Sequence, residues 1–317
     1  MDSFFPEYQS CRLCPRRCGV DRTAVAAGVC GETAACRVAH LGPHHGEEPP
    51  ISGTRGSGTV FFCGCSSHCF FCQNIQISAA TGAECAEGRV LTPEALFAEV
   101  KALADRDVHN LNFVTPDHFW PHIRELCRRL READVVLPFL WNGSGYHAPE
   151  LVPQVAEWMD IFLPDFKFAA PELARFCMGD AAYPEVALAS LRAMVMARGF
   201  LDPCDPEGMH TARRGVLVRH LVLPGQVENS LRVLDLLHRA FGSELPLSVM
   251  SQYRPMPACR GRGEFARGVR KDEYARVCER VEALGFQNVF IQELAAETAF
   301  LPDFRADQPF AGNRGSD

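Results

Sequence analysis

Cys65, Cys69 and Cys72 fall inside one eight-residue segment, Cys65-Ser66-Ser67-His68-Cys69-Phe70-Phe71-Cys72, separated by three and then two residues. Three thiolates from one short loop can ligate three irons of a four-iron cubane and leave the fourth without a protein ligand. An unfilled coordination position is what a catalytic metal centre keeps and a structural one closes. The competing reading is a structural zinc site, because Cys63 lies two residues before Cys65 and alternation on a strand points both to one face. Zinc knuckles, however, favour paired Cys-x2-Cys arms on hairpins, whereas this loop follows an apolar run. Cys63 then reads as a small buried residue.

A second group comprises Cys11, Cys14 and Cys18, joined by Cys30 in Gly28-Val29-Cys30-Gly31. Four thiolates make a closed site, and both zinc and an auxiliary iron–sulfur cluster accept such an array. Cys36 lies slightly further on and is an alternative ligand or an ordinary thiol. Cys85, Cys127, Cys177, Cys204, Cys259 and Cys278 are isolated in sequence, and packing is their default role. Fifteen cysteines in 317 residues without a secretory signal pattern at Met1–Ser10 favour metal ligation in a reducing, cytoplasmic setting over a disulfide framework.

Composition narrows the rest. The chain is 47% hydrophobic and 22% charged, ordinary for a globular protein. Its net charge of -7 argues against a nucleic-acid-coating role, although Arg12, Arg16, Arg17 and Arg22 make the start locally basic. The apolar runs, Val135–Trp141 and Leu217–Leu223 among them, are far short of the roughly 20 residues of a membrane helix.

The elements that must position the cysteines follow from periodicity. Residues 1–50 carry few regular apolar patterns and much Cys, Arg and Gly, as a small metal-nucleated module would, and Pro49–Gly58 reads as its linker. From 51 to 300, short strand-like runs alternate with helical patterns. The predicted strands are Thr59–Phe62, Asn110–Thr115, Val135–Trp141, Asp160–Phe166, Val216–Leu223, Leu247–Ser251 and Asn288–Ile291. Parallel β/α units in an open or closed barrel result, with chemistry expected at the C-terminal strand tips. The Gly-, Asp- and Arg-rich stretch 301–317 reads as a partly disordered tail.

The spacing of Cys65, Cys69 and Cys72, with aromatic Phe71 before the last cysteine, resembles the signature of the radical S-adenosylmethionine (SAM) superfamily. Further segments in the right order resemble its pyruvate formate-lyase-activating-enzyme-like iron–sulfur proteins. They are Cys11-x2-Cys14-Pro15-Arg16-x-Cys18, Glu48-Pro-Pro-Ile-Ser-Gly53, Gly58-Thr-Val-Phe-Phe62-x-Gly64-Cys65, Cys72-Gln-Asn74, Pro164-Asp-Phe-Lys167 and Arg219-His-Leu-Val-Leu-Pro-Gly225.

The resemblance implies a partial (β/α)6-type barrel behind the cysteine-rich module. It also implies a 4Fe-4S cluster whose open iron binds SAM, and reductive cleavage of SAM to a 5'-deoxyadenosyl radical that takes a hydrogen atom from a substrate. It places Phe71, Thr115, Asn142, Ser144, Asp165 and Lys167 near the cofactor. His220 or its neighbour Arg219, polar within an apolar strand, needs a buried partner that SAM or substrate would supply. One departure stands out: Thr115-Pro-Asp-His118 replaces the Gly-Gly-Glu type segment of the activases. A buried ion pair is the structural alternative for Asp165 with Lys167. The implied partners are a glycyl-radical enzyme as protein substrate and a flavodoxin or ferredoxin as electron donor. A radical SAM enzyme acting on a small molecule or unrelated peptide is the alternative, and a non-catalytic zinc scaffold a third.

Overall fold

The computed structural model describes residues 5–78, 88–294 and 301–310. Cys85 lies outside them. In chain order the strands are β1 (Arg37–His44), β2 (Ser57–Phe62), β3 (Arg89–Val90), β4 (Leu111–Val114), β5 (Phe139–Gly143), β6 (Ile161–Pro164), β7 (Gly215–Val216), β8 (Val218–Leu221), β9 (Leu247–Met250) and β10 (Val289–Ile291). The helices are α1 (Pro49–Ser52), α2 (Ile75–Ser78), α3 (Pro93–Ala104), α4 (Trp120–Glu132), α5 (Val152–Ala156), α6 (Pro171–Met178), α7 (Tyr183–Arg198), α8 (Val227–Phe241) and α9 (Lys271–Ala283).

β2, β4, β5, β6 and β7 pair in parallel, as do β8, β9 and β10. Leu217 separates β7 from β8, but Phe166 N donates to Arg219 O at 2.7 Å and carries the layer across the break. Side chains from β2, β4, β8, β9 and β10 all line one cavity, so the layer curls into a partial β/α barrel. Helices pack on its outer face around a core containing Phe113, Trp120, Phe139, Trp141 and Phe162.

Two differences from the sequence reading have local causes. Val135–Leu137 are not strand: Arg131 at the end of α4 donates to the Val135 and Leu137 carbonyls at 2.7 and 3.0 Å and holds them in a loop. Val136 is consequently 86% exposed, and the strand runs from Phe139 through Gly143. Secondly, β1 pairs antiparallel with β2, which extends the sheet back to Arg37. Its run Arg-Val-Ala-His-Leu-Gly-Pro-His lacks clean alternation. Of the tail, residues 301–310 fold back so that Phe304 and Phe310 pack on Phe61. Among the described residues no helix is long and apolar enough to cross a membrane.

Candidate functional site

β2 ends at Phe62, and the chain turns at Gly64 before entering the cysteine loop. Gly64 adopts φ 77°, and a Cβ there would lie 2.5 Å from Glu32 Cγ, so this turn and the N-terminal stretch approach too closely for a side chain. Cys65, Cys69 and Cys72 then face one cavity of about 760 Å³ at the barrel mouth. Its wall is made by the tips of successive strands: Thr115 after β4, Asn142 and Ser144 at β5, Asp165 and Lys167 after β6.

The local fold ties these groups together. Ser67 in the cysteine loop donates to Ser144 Oγ at 2.6 Å. Lys167 donates to Asp165 in a largely buried pair. Ser78 donates to Cys72 Sγ at 3.3 Å, and Gln73 donates to the Gln252 carbonyl. Thr115 has φ 56°, a left-handed conformation that a β-branched residue adopts at a cost of about 1–3 kcal/mol. His68, between the first two cysteines, is also left-handed at φ 52°. Both residues line the cavity.

Electrostatics single out the same atoms. Burial pushes the Cys65 thiol up to about 11, with Cys72 adding to the rise. Burial also raises Cys69, against which Lys167 acts, and Cys72, against which Ser78 acts first. For Lys167 burial works downward, but Asp165 and the nearby Cys69 and Cys72 outweigh it, and the amine stays cationic. Buried thiols that disfavour one another's ionisation want a cationic metal beside them, and the trio fits an iron–sulfur cluster in donor type and placement. Among the described residues no three His, Cys, Asp or Glu side chains converge as a single-ion site would need. A cubane spreads its ligands over separate irons.

Phe71 is buried in the cavity wall, stacked on Phe265 at 6.2 Å and 11° and flanked by Phe168 and Tyr253. His220 does not reach the cavity. It is fully buried, with Nδ1 on the Phe166 carbonyl at 2.7 Å and Nε2 on Ser230 Oγ at 2.9 Å, so neither nitrogen is left for a cofactor. Arg219 takes the buried partners instead, Glu47 and Glu48. Asp117, in the segment that departs from the activase pattern, turns inward to pair with His147, away from the cavity.

In the N-terminal stretch Cys11, Cys14 and Cys30 are buried and within electrostatic reach of one another. Burial raises Cys14 to about 12, and Cys30 and Cys11 add to it. Cys18 is exposed, with its sulfur 3.2 Å from where a Cβ on Gly28 would lie. Cys36 is buried beside Cys63, Glu32 and Arg22. Fully buried Arg22 cements the stretch, donating to the Glu32, Thr33 and His118 carbonyls and to Cys11 Sγ at 3.6 Å.

Glu47 was not among the candidate residues read from the sequence. Glu47 carries a signal in retrospect, as half of an acidic pair opening onto two prolines. Arg16 was visible as a position of the Cys14-Pro15-Arg16-x-Cys18 segment and as one of several arginines, but without its part in the cysteine loop.

No family model matches the chain. The uncharacterized protein MJ0674 of Methanocaldococcus jannaschii is 23% identical over 295 residues, covering 89% of this chain and 77% of that protein. Methylornithine synthase (PylB) superposes with a TM-score of 0.49 at 12% identity, over 78% of this chain and 76% of its own. SuiB of Streptococcus suis, solved bound to S-adenosylmethionine, superposes with a TM-score of 0.47 at 12% identity over 75% of this chain. The superposition covers 49% of the SuiB chain, so this protein spans about half its length.

Proposed function

We propose that this protein is a radical SAM enzyme in which Cys65, Cys69 and Cys72 hold a 4Fe-4S cluster. The supporting observation is that these three cysteines of one loop, Cys69 buried and Cys65 and Cys72 half-buried, line one cavity rimmed by barrel strand tips. When bound, such a cluster with SAM on its open iron supplies one-electron cleavage of the sulfonium and hence a hydrogen-abstracting radical.

The chain's own residues bind, orient and shield. Lys167, braced by Asp165, offsets negative charge at the Cys69 and Cys72 sulfurs. Thr115, with its strained backbone, presents a hydroxyl and carbonyl to the SAM ammonium, a role that Asp117, turned away to His147, does not take. Asn142 and Ser144 offer polar contacts to the rest of SAM. Phe70, Phe71 and Phe265 exclude water from the cluster loop, with Arg262 lying over Phe70 at 4.4 Å.

Cys11, Cys14, Cys18 and Cys30 form a second metal site in this reading, although they too do not converge as a single zinc ion needs, and metal analysis of a Cys65, Cys69 and Cys72 triple alanine variant decides between zinc and iron–sulfur there. The narrower activase role rests on the motif resemblance alone. A glycyl-radical signal raised in a co-expressed glycyl-radical enzyme tests it. The general reading is tested by anaerobic purification: brown, iron-containing protein that releases 5'-deoxyadenosine from SAM with dithionite supports it, and colourless zinc protein that leaves SAM intact refutes it.

A further inference from the structure

Cluster and SAM binding leaves one polar array in the barrel lumen unassigned. Arg219 on β8 lies in register with Asp165, and its Nε donates to Glu48 Oε1 at 2.8 Å while Nη2 donates to Glu47 and to Glu48 Oε2. Glu47 Oε1 also accepts from Asn112 Nδ2 at 2.8 Å and Asn142 Nδ2 at 3.2 Å. Glu47, Glu48, Arg219 and Asn142 all line the same cavity as the cysteine trio. Two residues down their strands the lumen turns apolar, with Leu140, Ile161, Leu163 and Leu217 packed on Ile51.

The charges in this array do not balance. Two carboxylates face one guanidinium, and the bidentate contact with Glu48 already occupies Arg219 on one edge. Lys167 is committed to Asp165. His44 is the other base near Glu47, and burial depresses it toward the neutral form. A buried excess carboxylate is costly unless a cation meets it. An independent feature points the same way: Asn112 Oδ1 is buried beside Glu47 and has no hydrogen-bond partner. The array thus carries one more carboxylate than its guanidinium offsets, and an amide oxygen with no donor of its own. Phe61, Leu221, Met250 and Val289 supply an apolar wall to the same cavity.

We propose that Glu47 and Glu48, braced by Arg219, form a cation-binding subsite that receives a primary ammonium carried on an aliphatic stem. Its charge meets the surplus carboxylate of Glu47 and Glu48, and Asn112 Oδ1, buried behind Glu47, is a further acceptor without a partner. Assigning that ammonium to the substrate rests on the radical-enzyme reading above; recognition of the cation does not.

The test uses full-length protein, reconstituted anaerobically with iron, sulfide and SAM. Calorimetric titration with pentylamine is compared with 1-pentanol, and Nα-acetyl-lysine amide with Nα-acetyl-norleucine amide as stand-in for a peptide. The amine of at least one pair should bind tenfold or more tighter than its neutral partner, and Glu47→Gln should remove most of that preference. Which pair responds tells a free amine from a peptide side chain. Equal binding within both pairs, or full preference in folded Glu47→Gln protein, overturns the subsite. SAM cleavage is measured on the same samples: amine preference without cleavage sinks only the radical reading, and cleavage without preference sinks only the subsite.

Discussion

Arg16 Nε donates to the Ser66 carbonyl at 2.8 Å, fastening the cysteine-rich N-terminal stretch directly to the loop that carries Cys65 and Cys69. Its Nη2 reaches the Ser67 and Met178 carbonyls at 3.2 and 2.6 Å, so one guanidinium spans the loop and the end of α6. The side chain is only 10% exposed, and three carbonyls lose their donor if it is removed. Arg16→Met is expected to lower stability by about 3 kcal/mol. Denaturant melts check this, and iron per chain should fall with it. Unchanged stability and iron content would show that the N-terminal stretch does not organise the loop.

The two cysteine groups should respond differently to truncation. Cys69→Ala should abolish SAM cleavage and cluster absorbance, whereas Cys14→Ala should leave a measurable fraction of both. Equal and total loss in both variants would mean that the groups serve one centre.

Thr115 gives a test of stored strain. Asn tolerates the left-handed region better than a β-branched residue, so Thr115→Asn should stabilise the protein by about 1 kcal/mol. SAM affinity, read by equilibrium binding, should fall at the same time, because the hydroxyl is lost. Gain of stability with undiminished SAM affinity would place Thr115 outside the site.

Three buried histidines set an acid limit. Burial pulls His118 down to about 3 and His122 and His220 to about 4, from 6.5. The unfolded chain therefore takes up protons that the folded chain refuses as pH falls from 6.5 toward 4. Stability is fully present above pH 6.5, and each histidine removes up to about 2 kcal/mol by pH 5. Urea melts at pH 7 and pH 5 check the sign. His220→Gln should flatten the slope and, because the ring lies outside the cavity, leave SAM affinity intact; loss of SAM binding would return His220 to the site.

Much of this architecture was legible in the chain because parallel strands buried on both faces read as short apolar runs between helical patterns. Each of the seven predicted strands overlaps an observed one. β1 was not legible, since its two histidines, glycine and proline break alternation, and its pairing is set by β2. The cysteine trio was legible because its spacing is local. The Glu47, Glu48 and Arg219 array was not: Arg219 lies 171 and 172 positions from Glu48 and Glu47, and only the curl of the barrel joins them. His220 and Arg219 look equivalent in sequence. Alternation sends one toward the helices and the other into the lumen.

In the proposed enzyme the protein leaves one iron uncoordinated for SAM. Electron paramagnetic resonance of the dithionite-reduced, oxygen-free protein, recorded with and without SAM, tests it most directly. A 4Fe-4S signal whose g-values shift on adding SAM, and which is absent in Cys69→Ala protein, is the predicted result. An iron signal indifferent to SAM, or protein that carries no iron at all, would contradict the account.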